Sequence, residues 1–428
     1  MTAVVANTTA PSVADRLQGF LSSSRVLYLD GFRALAALIV MLSHFHVPSV
    51  SGTIGVAFAF FISGFLITHL LCQEAKKSKN QLINIKAFFV RRVFRLLPAL
   101  FVFVLGVTGI YAALGLATPW HEIWPSLVFL QNYHMIAYPP EMALPFNMLW
   151  SLSIEEHYYL LAPFVFFLAM KFKKQEWLIG LGIAVILLGL VWRFFAVTQL
   201  NAGWRYLYLA TECRIDSILY GVLLALIIHQ AHHTPQKIYA KALSWVITTP
   251  WLSWVALALF YFIWQEDNRY VFFILQFPIF GVCFAIILTK LLFTPELPWL
   301  KTFLTAPIIR GISAISYSIF LWNIAVYRLT SQWYVKPLFM PPFGSALIAI
   351  CLTIGVATIS YWLIEKPAIA WRKQLFKPKH AAEQSTTYLG YHGQIQHFLM
   401  AIQTACIPFY SKSPHRLERS ASPASASS

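Results

Sequence analysis

Residues 54–72 read IGVAFAFFISGFLITHLLC, nineteen positions with no aspartate, glutamate, lysine or arginine. As a helix such a stretch rises about 28 Å, close to the roughly 30 Å hydrocarbon core of a bilayer. Working outward, apolar runs of similar length recur near 28–47, 95–116, 148–170, 177–198, 209–229, 244–264, 271–293, 311–330 and 344–364. The predicted fold is therefore an all-α integral membrane protein with ten transmembrane helices. A closed barrel, the other structure that satisfies its backbone in lipid, needs short alternating strands, and the sequence does not alternate in that way. Only 11% of the 428 residues are charged, under half of the about 25% usual in soluble domains, so a fold in water lacks its solvating surface.

Charge placement predicts the orientation. With both termini cytoplasmic, 25 of the 32 lysines and arginines fall on inner loops and tails, three fall outside (Arg205, Arg269, Lys336) and four lie within spans (Arg33, Arg193, Arg214, Arg328). This asymmetry is what positive-inside insertion produces. It also accounts for the net charge of +16 without a nucleic-acid partner, since no basic stripe sits on a soluble module. Residues 1–26 are read as a cytoplasmic segment without a cleavable signal peptide, 27–379 as the membrane domain, and 380–428, ending ASPASASS, as a disordered cytoplasmic tail. Four of the five cysteines sit in or beside apolar spans, so neither a disulfide nor a metal spacing is expected, and His232-His233 lacks a third ligand nearby.

Ionisable groups inside spans cost a few kcal/mol each, and each needs a partner or a function. The first span, LDGFRALAALIVMLSHFHV, carries Arg33 near its inner end and His44 toward its outer end. Eleven residues make about three helical turns, which places both on one face some 16 Å apart. A histidine is suited to take a proton from an attacking hydroxyl, because its ordinary pKa lies near working pH. The fourth span opens MLWSLSIEEHYYLLAPF, where the adjacent Glu155 and Glu156 point about 100° apart. Glu155 shares the outer half with His44 by naive depth and is expected to orient it, although a structural ion pair with Arg33 or Arg214 suits the same residues. Arg91, Arg92 and Arg95 in FFVRRVFRLLP lie at an inner boundary. Guanidinium groups bind phosphates bidentately, and equally they attract anionic lipid. A proton relay of buried Arg, His and Glu would also suit a transporter or flippase, although no internal repeat is visible.

Seven segments, LDGFRALAALIVMLSHF, GVAFAFFISGFLIT, FFVRRVFRLLP, WSLSIEEHYYLLAP, TECRIDSILYG, ISYSIFLWN and YWLIEKP, occur in that order from about residue 27 to 373. Together they resemble the membrane-bound acyltransferase-3 family. The resemblance implies a ten-helix O-acyltransferase of the bacterial inner membrane. Its donor would be acyl-CoA, with acetyl-CoA expected, and its acceptor a hydroxyl of an envelope saccharide such as lipopolysaccharide or exopolysaccharide. It implies that His44 is the catalytic base, supported by Arg33 and Glu155, and that Arg92 and Arg95, with Arg91, contact the CoA phosphates. Substrate contacts fall on Trp150, Ser153, Glu156, Arg214 and Asn323, and no metal is implied. Asn323 stands where this family often has histidine; asparagine hydrogen-bonds but does not exchange protons at neutral pH, so no acid–base role is expected there. Some members append an esterase-like domain, and here the membrane domain is expected to complete the transfer unaided.

Overall fold

The computed structural model describes residues 12–22, 27–115, 120–138, 145–264, 268–333 and 342–376, and these are helical with no strand among them. The segment 380–428, expected to be a disordered tail, lies outside the described residues. In chain order the helices are α1 (Val13–Ser22), α2 (Leu27–His44), α3 (Gly52–Lys77), α4 (Ile85–Ala113), α5 (Trp120–Leu127), α6 (Gln131–Ala137), α7 (Leu149–Lys171), α8 (Gln175–Thr198) and α9 (Trp204–Leu209). There follow α10 (Thr211–Ala231), α11 (Ile238–Thr248), α12 (Leu252–Trp264), α13 (Phe277–Phe293), α14 (Pro298–Thr305), α15 (Pro307–Ala314), α16 (Ser316–Trp333), α17 (Pro342–Ser360) and α18 (Lys366–Leu375). Wider π turns lead into α13 (Val271–Gln276) and α18 (Tyr361–Glu365).

Each of the ten apolar runs coincides with helix, but they are not ten equivalent rods. Five helices are long and apolar enough to cross a membrane, and seven if two bent pairs each count as one span. The other three runs are α2, α7 and α10, the helices that hold Arg33, Glu155, Glu156 and Arg214. The run 244–264, expected as one rod, is instead α11 and α12 meeting at 93°. The cause is local. Pro250 has no N–H for the ladder, and open carbonyls at the end of α11 are capped by Lys290, whose Nζ donates to Thr249 O at 2.6 Å and Ile247 O at 3.4 Å. Lys290 was expected on an inner loop; it is fully buried in α13 and pairs with Glu296 at 2.9 Å. The second pair, α15 and α16, bends by 72° around Ile315.

α3 is the central helix, two-thirds buried (67%), whereas only 28% of the α8 span is covered by protein. Outward-facing Leu187, Leu188 and Val191 on α8 are what a lipid-facing surface requires. In lipid, helices associate through close packing rather than through water exclusion, which favours small residues at crossings. Gly64 of α3 and Gly221 of α10 meet here: a Cβ on Gly221 would fall onto the Phe61 carbonyl oxygen, and one on Gly64 onto the Ile218 carbonyl oxygen. Gly221→Val is therefore expected to destabilise the protein by at least the about 1–3 kcal/mol of an overpacked core. Thermal unfolding of the detergent-purified protein measures this, and an unchanged melting temperature would refute the tight crossing.

Candidate active site

Glu74, near the C-terminal end of α3, fixes the start of α4. One carboxylate oxygen accepts from Asn84 N at 2.9 Å and the other from Arg91 at 2.5 Å, while the Asn84 side chain caps the helix by accepting from Ala87 N at 2.9 Å. The arginine run is thereby held at the rim of a cavity of about 340 Å³. Arg91, Arg92 and Arg95 line it, and Arg33, Ser63, Glu155 and Ser316 reach it from α2, α3, α7 and α16. Its remaining wall is largely apolar, including Ala37, Val40, Val56 and Leu66.

The arginines are not equivalent. Arg91 is tied to Glu74. Arg92 turns inward, its guanidinium carbon 3.1 Å from the centre of the Tyr159 ring and its NH1 3.9 Å from Glu156. Glu156 thus sits behind Arg92, on the other face of α7 from the cavity-lining Glu155. Glu155 accepts a hydrogen bond from Tyr159 at 3.3 Å, and the Tyr159 hydroxyl also meets Ser63. Arg33 donates to Ser316 Oγ at 3.2 Å and lies 4.0 Å from Asp30.

His44 closes α2 and does not touch Glu155 through its Nδ1. That nitrogen lies 2.6 Å from Asn323 Oδ1. The Asn323 amide is itself committed, because its Nδ2 donates to Ile319 O at 2.9 Å and Phe320 O at 2.6 Å. Its oxygen must accept, so His44 carries its proton on Nδ1 and keeps its lone pair on Nε2. The bend at Ile315 makes this possible: Ser316 and Asn323 are two turns apart on one face of α16 and meet Arg33 and His44 of α2. Glu155, expected to orient His44, lines the cavity together with Arg33. Asn323→Leu leaves a buried N–H unpaired and the ring unheld, and is expected to lower kcat about 5- to 150-fold. Donor binding measured on the same protein should be unchanged; a loss in binding alone would show that Asn323 does not act through His44.

The remaining candidates lie away from the cavity. Ser153 is buried and bonds back to Leu149 O at 3.0 Å. Trp150 packs on Tyr208 and Phe60, with ring centres 5.0 and 6.2 Å apart. Arg214 is fully buried with its guanidinium carbon 3.7 Å from the centre of the Phe277 ring and 4.9 Å from Tyr208, and its nitrogens have no hydrogen-bond partner among the described residues. Asp216 pairs with Arg193 instead, at 2.7 Å. Residues that spacing did not single out are Ser316, Ser63, Tyr159 and Arg372 in the cavity wall. Glu365, which accepts from Ser318 Oγ, is another. Between α4 and α7, His121, Glu122 and His134 each offer a metal-ligand atom within 4.8 Å of the others. Glu122 accepts from Gln131 Nε2 at 3.0 Å.

A family model described as an acyltransferase domain matches residues 26–364. The chain belongs to the acyltransferase-3 family. Among its relatives, a provisionally named O-acetyltransferase of Staphylococcus aureus (strain COL) is 28% identical over 382 residues, covering 84% of this chain and 61% of that protein. The O-acetyltransferase OatA of Staphylococcus aureus (strain MRSA252) is 30% identical over 395 residues, covering 87% and 62% respectively. The chain thus spans about three-fifths of the curated relatives it matches. No solved structure matches it. An acyltransferase-3 domain with several apolar helices long enough to cross a bilayer is an integral membrane acyltransferase.

Proposed function

We propose that this protein transfers an acetyl group from acetyl-CoA to a hydroxyl of an envelope saccharide, across ten spans with both termini in the cytoplasm of a bacterial inner membrane. The observation that carries the chemistry is the locked His44 tautomer, with a basic Nε2 on the helix whose Arg33 lines an arginine-rimmed cavity. Val40, four residues before His44, lines that cavity too, so the base stands about 6 Å along the helix axis from its wall. The apolar wall suits a pantetheine arm, and the arginines suit phosphates. The relatives named as O-acetyltransferases support the acetyl group and an oxygen acceptor.

In this reading His44 Nε2 removes the proton of the acceptor hydroxyl as its oxygen attacks the thioester carbonyl. The C–S bond then breaks, and the imidazolium returns the proton to the departing thiolate. The products are an O-acyl ester and free CoA, and no proton is gained or lost. Arg33, beside Ser316, and Glu155, held by Tyr159, shape the cavity inward of the base. The test is a gene deletion followed by mass spectrometry of envelope glycans, complemented with wild type. An ester mass lost on deletion and restored by wild type identifies the acyl group and the acceptor class. Unchanged glycan esters would overturn the saccharide acceptor.

A further inference from the structure

We propose that His121, Glu122 and His134 form a binding site for one divalent transition metal, zinc by the chemistry of its ligands, and that the ion ties α5 to α6. None of the three lines the arginine-rimmed cavity, so the proposal is independent of the acyl-CoA reading.

The donor set comes first. His121 and Glu122 open α5, His134 lies in α6, and one ligand atom from each is within 4.8 Å of the other two. Ligands about 2.0–2.2 Å from a tetrahedral zinc stand about 3.3–3.6 Å apart, so side-chain rotations of about an ångström close the set on an ion. Two imidazoles and a carboxylate suit zinc and leave a fourth position for water.

Charge is the second observation. Glu122 is only 2% exposed. The sequence holds no lysine or arginine between Arg95 and Lys171, and among the described residues no basic side chain forms an ion pair with Glu122. A buried carboxylate needs a cation or a proton. A proton would neutralise the carboxyl but do nothing for His134 Nε2, which is buried with no hydrogen-bond partner among the described residues. An ion bound through that nitrogen satisfies both groups.

The third observation is the support behind the carboxylate. Gln131 and Ser126 are buried, and Ser126 Oγ donates to Gln131 Oε1 at 3.2 Å. The amide is thereby oriented so that its Nε2 donates to Glu122 Oε2 at 3.0 Å, which leaves Oε1 for the ion. Carboxylates that bind metals are typically held by such outer groups. Phe129, between the two helices, has φ 59°, a conformation that a bulky residue keeps only where its surroundings hold it. Since α5 packs on α4 while α6 packs on α7 and α9, an ion shared by α5 and α6 braces the whole connection.

The test uses the full chain, purified in neutral detergent without a polyhistidine tag and stripped of metal by a chelator. Zinc alone is then added, and bound zinc is measured by equilibrium dialysis and elemental analysis. One zinc per chain is expected, with a melting temperature that rises with free zinc. Gln131→Leu, which does not touch the ion, should weaken zinc about 10- to 100-fold, and Glu122→Gln and His134→Ala should weaken it by more. The double variant His232→Ala, His233→Ala removes a histidine pair elsewhere and should bind like wild type. Wild type that binds no zinc would overturn the proposal, as would full binding by Glu122→Gln or His134→Ala, or binding lost in the His232, His233 variant. Should the site variants fail to fold, cobalt(II) bound to wild type decides. Intense visible bands of a four-coordinate centre are expected, and the weak bands of a six-coordinate ion would overturn the site.

Discussion

A His44→Ala protein is expected to fold, to bind acetyl-CoA as wild type does, and to lose about 10²–10⁴-fold in transfer rate, the usual contribution of a positioned general base. The loss should appear in kcat. His44 is not among the residues that line the arginine-rimmed cavity, so its removal leaves the donor's phosphate contacts in place. The hole left by the ring borders Asn323, whose two bonds to helix carbonyls survive, so the fold of α16 is not put at risk. His44→Gln is the sharper variant: it keeps a polar group near Asn323 but has no basic nitrogen. Both should be inactive with unaltered CoA binding. Full activity in either would remove His44 from the chemistry and with it the mechanism proposed above.

Breaking the Arg193–Asp216 pair is expected to be the most destabilising of the single substitutions considered, by about 3–5 kcal/mol. The two side chains are 0% and 2% exposed and 2.7 Å apart, and Arg193 also donates to Cys213 O at 2.6 Å. Arg214 lies two residues before Asp216 on α10, its guanidinium over the faces of Phe277, Tyr208, Phe60 and Trp150 and within electrostatic reach of Asp216. Asp216→Ala would leave two buried guanidiniums in one layer of the bundle with no carboxylate between them. The double variant Arg193→Met, Asp216→Leu removes both charges and should recover most of the stability, because the desolvation of a buried pair offsets much of its attraction. Thermal unfolding of wild type, Arg193→Met, Asp216→Leu and the double variant in detergent gives the coupling. A single Asp216→Ala within about 1 kcal/mol of wild type would mean that water reaches the pair.

Hydrophobic run length located the helices, because hydrocarbon imposes it directly: every run is helical, although five to seven rather than ten are long and apolar enough to cross a membrane. It did not reveal the 93° bend between α11 and α12. That bend depends on Lys290, some forty residues away, whose charge looked like a topology signal until its burial was seen. Helical periodicity placed Arg33 and His44 on one face, and the structure has α16 covering both. Residue counting did not reveal the neighbours of Glu155, because Tyr159, Ser63 and the arginines that share its cavity come together only through packing. The three arginines of α4 were legible as a cluster but not as individuals: their neighbours Glu74, Tyr159 and Glu156 come from other helices and divide their roles. Arg372 gave no signal, because a basic residue after the last span is what insertion alone would place there.

The partner of His44 has one more consequence, which concerns the membrane rather than the ester. A histidine linked to a carboxylate inside a bilayer is the unit from which proton pumps are built. Asn323 holds the ring with a dipole that neither takes up nor releases a proton at neutral pH. On the Nδ1 side, among the described residues, the line of exchangeable sites therefore stops at His44, and a hydration path from the arginine rim would find no onward carrier through Asn323. In the proposed mechanism the one group that moves a proton would thus have an asparagine beside it acting as an insulator.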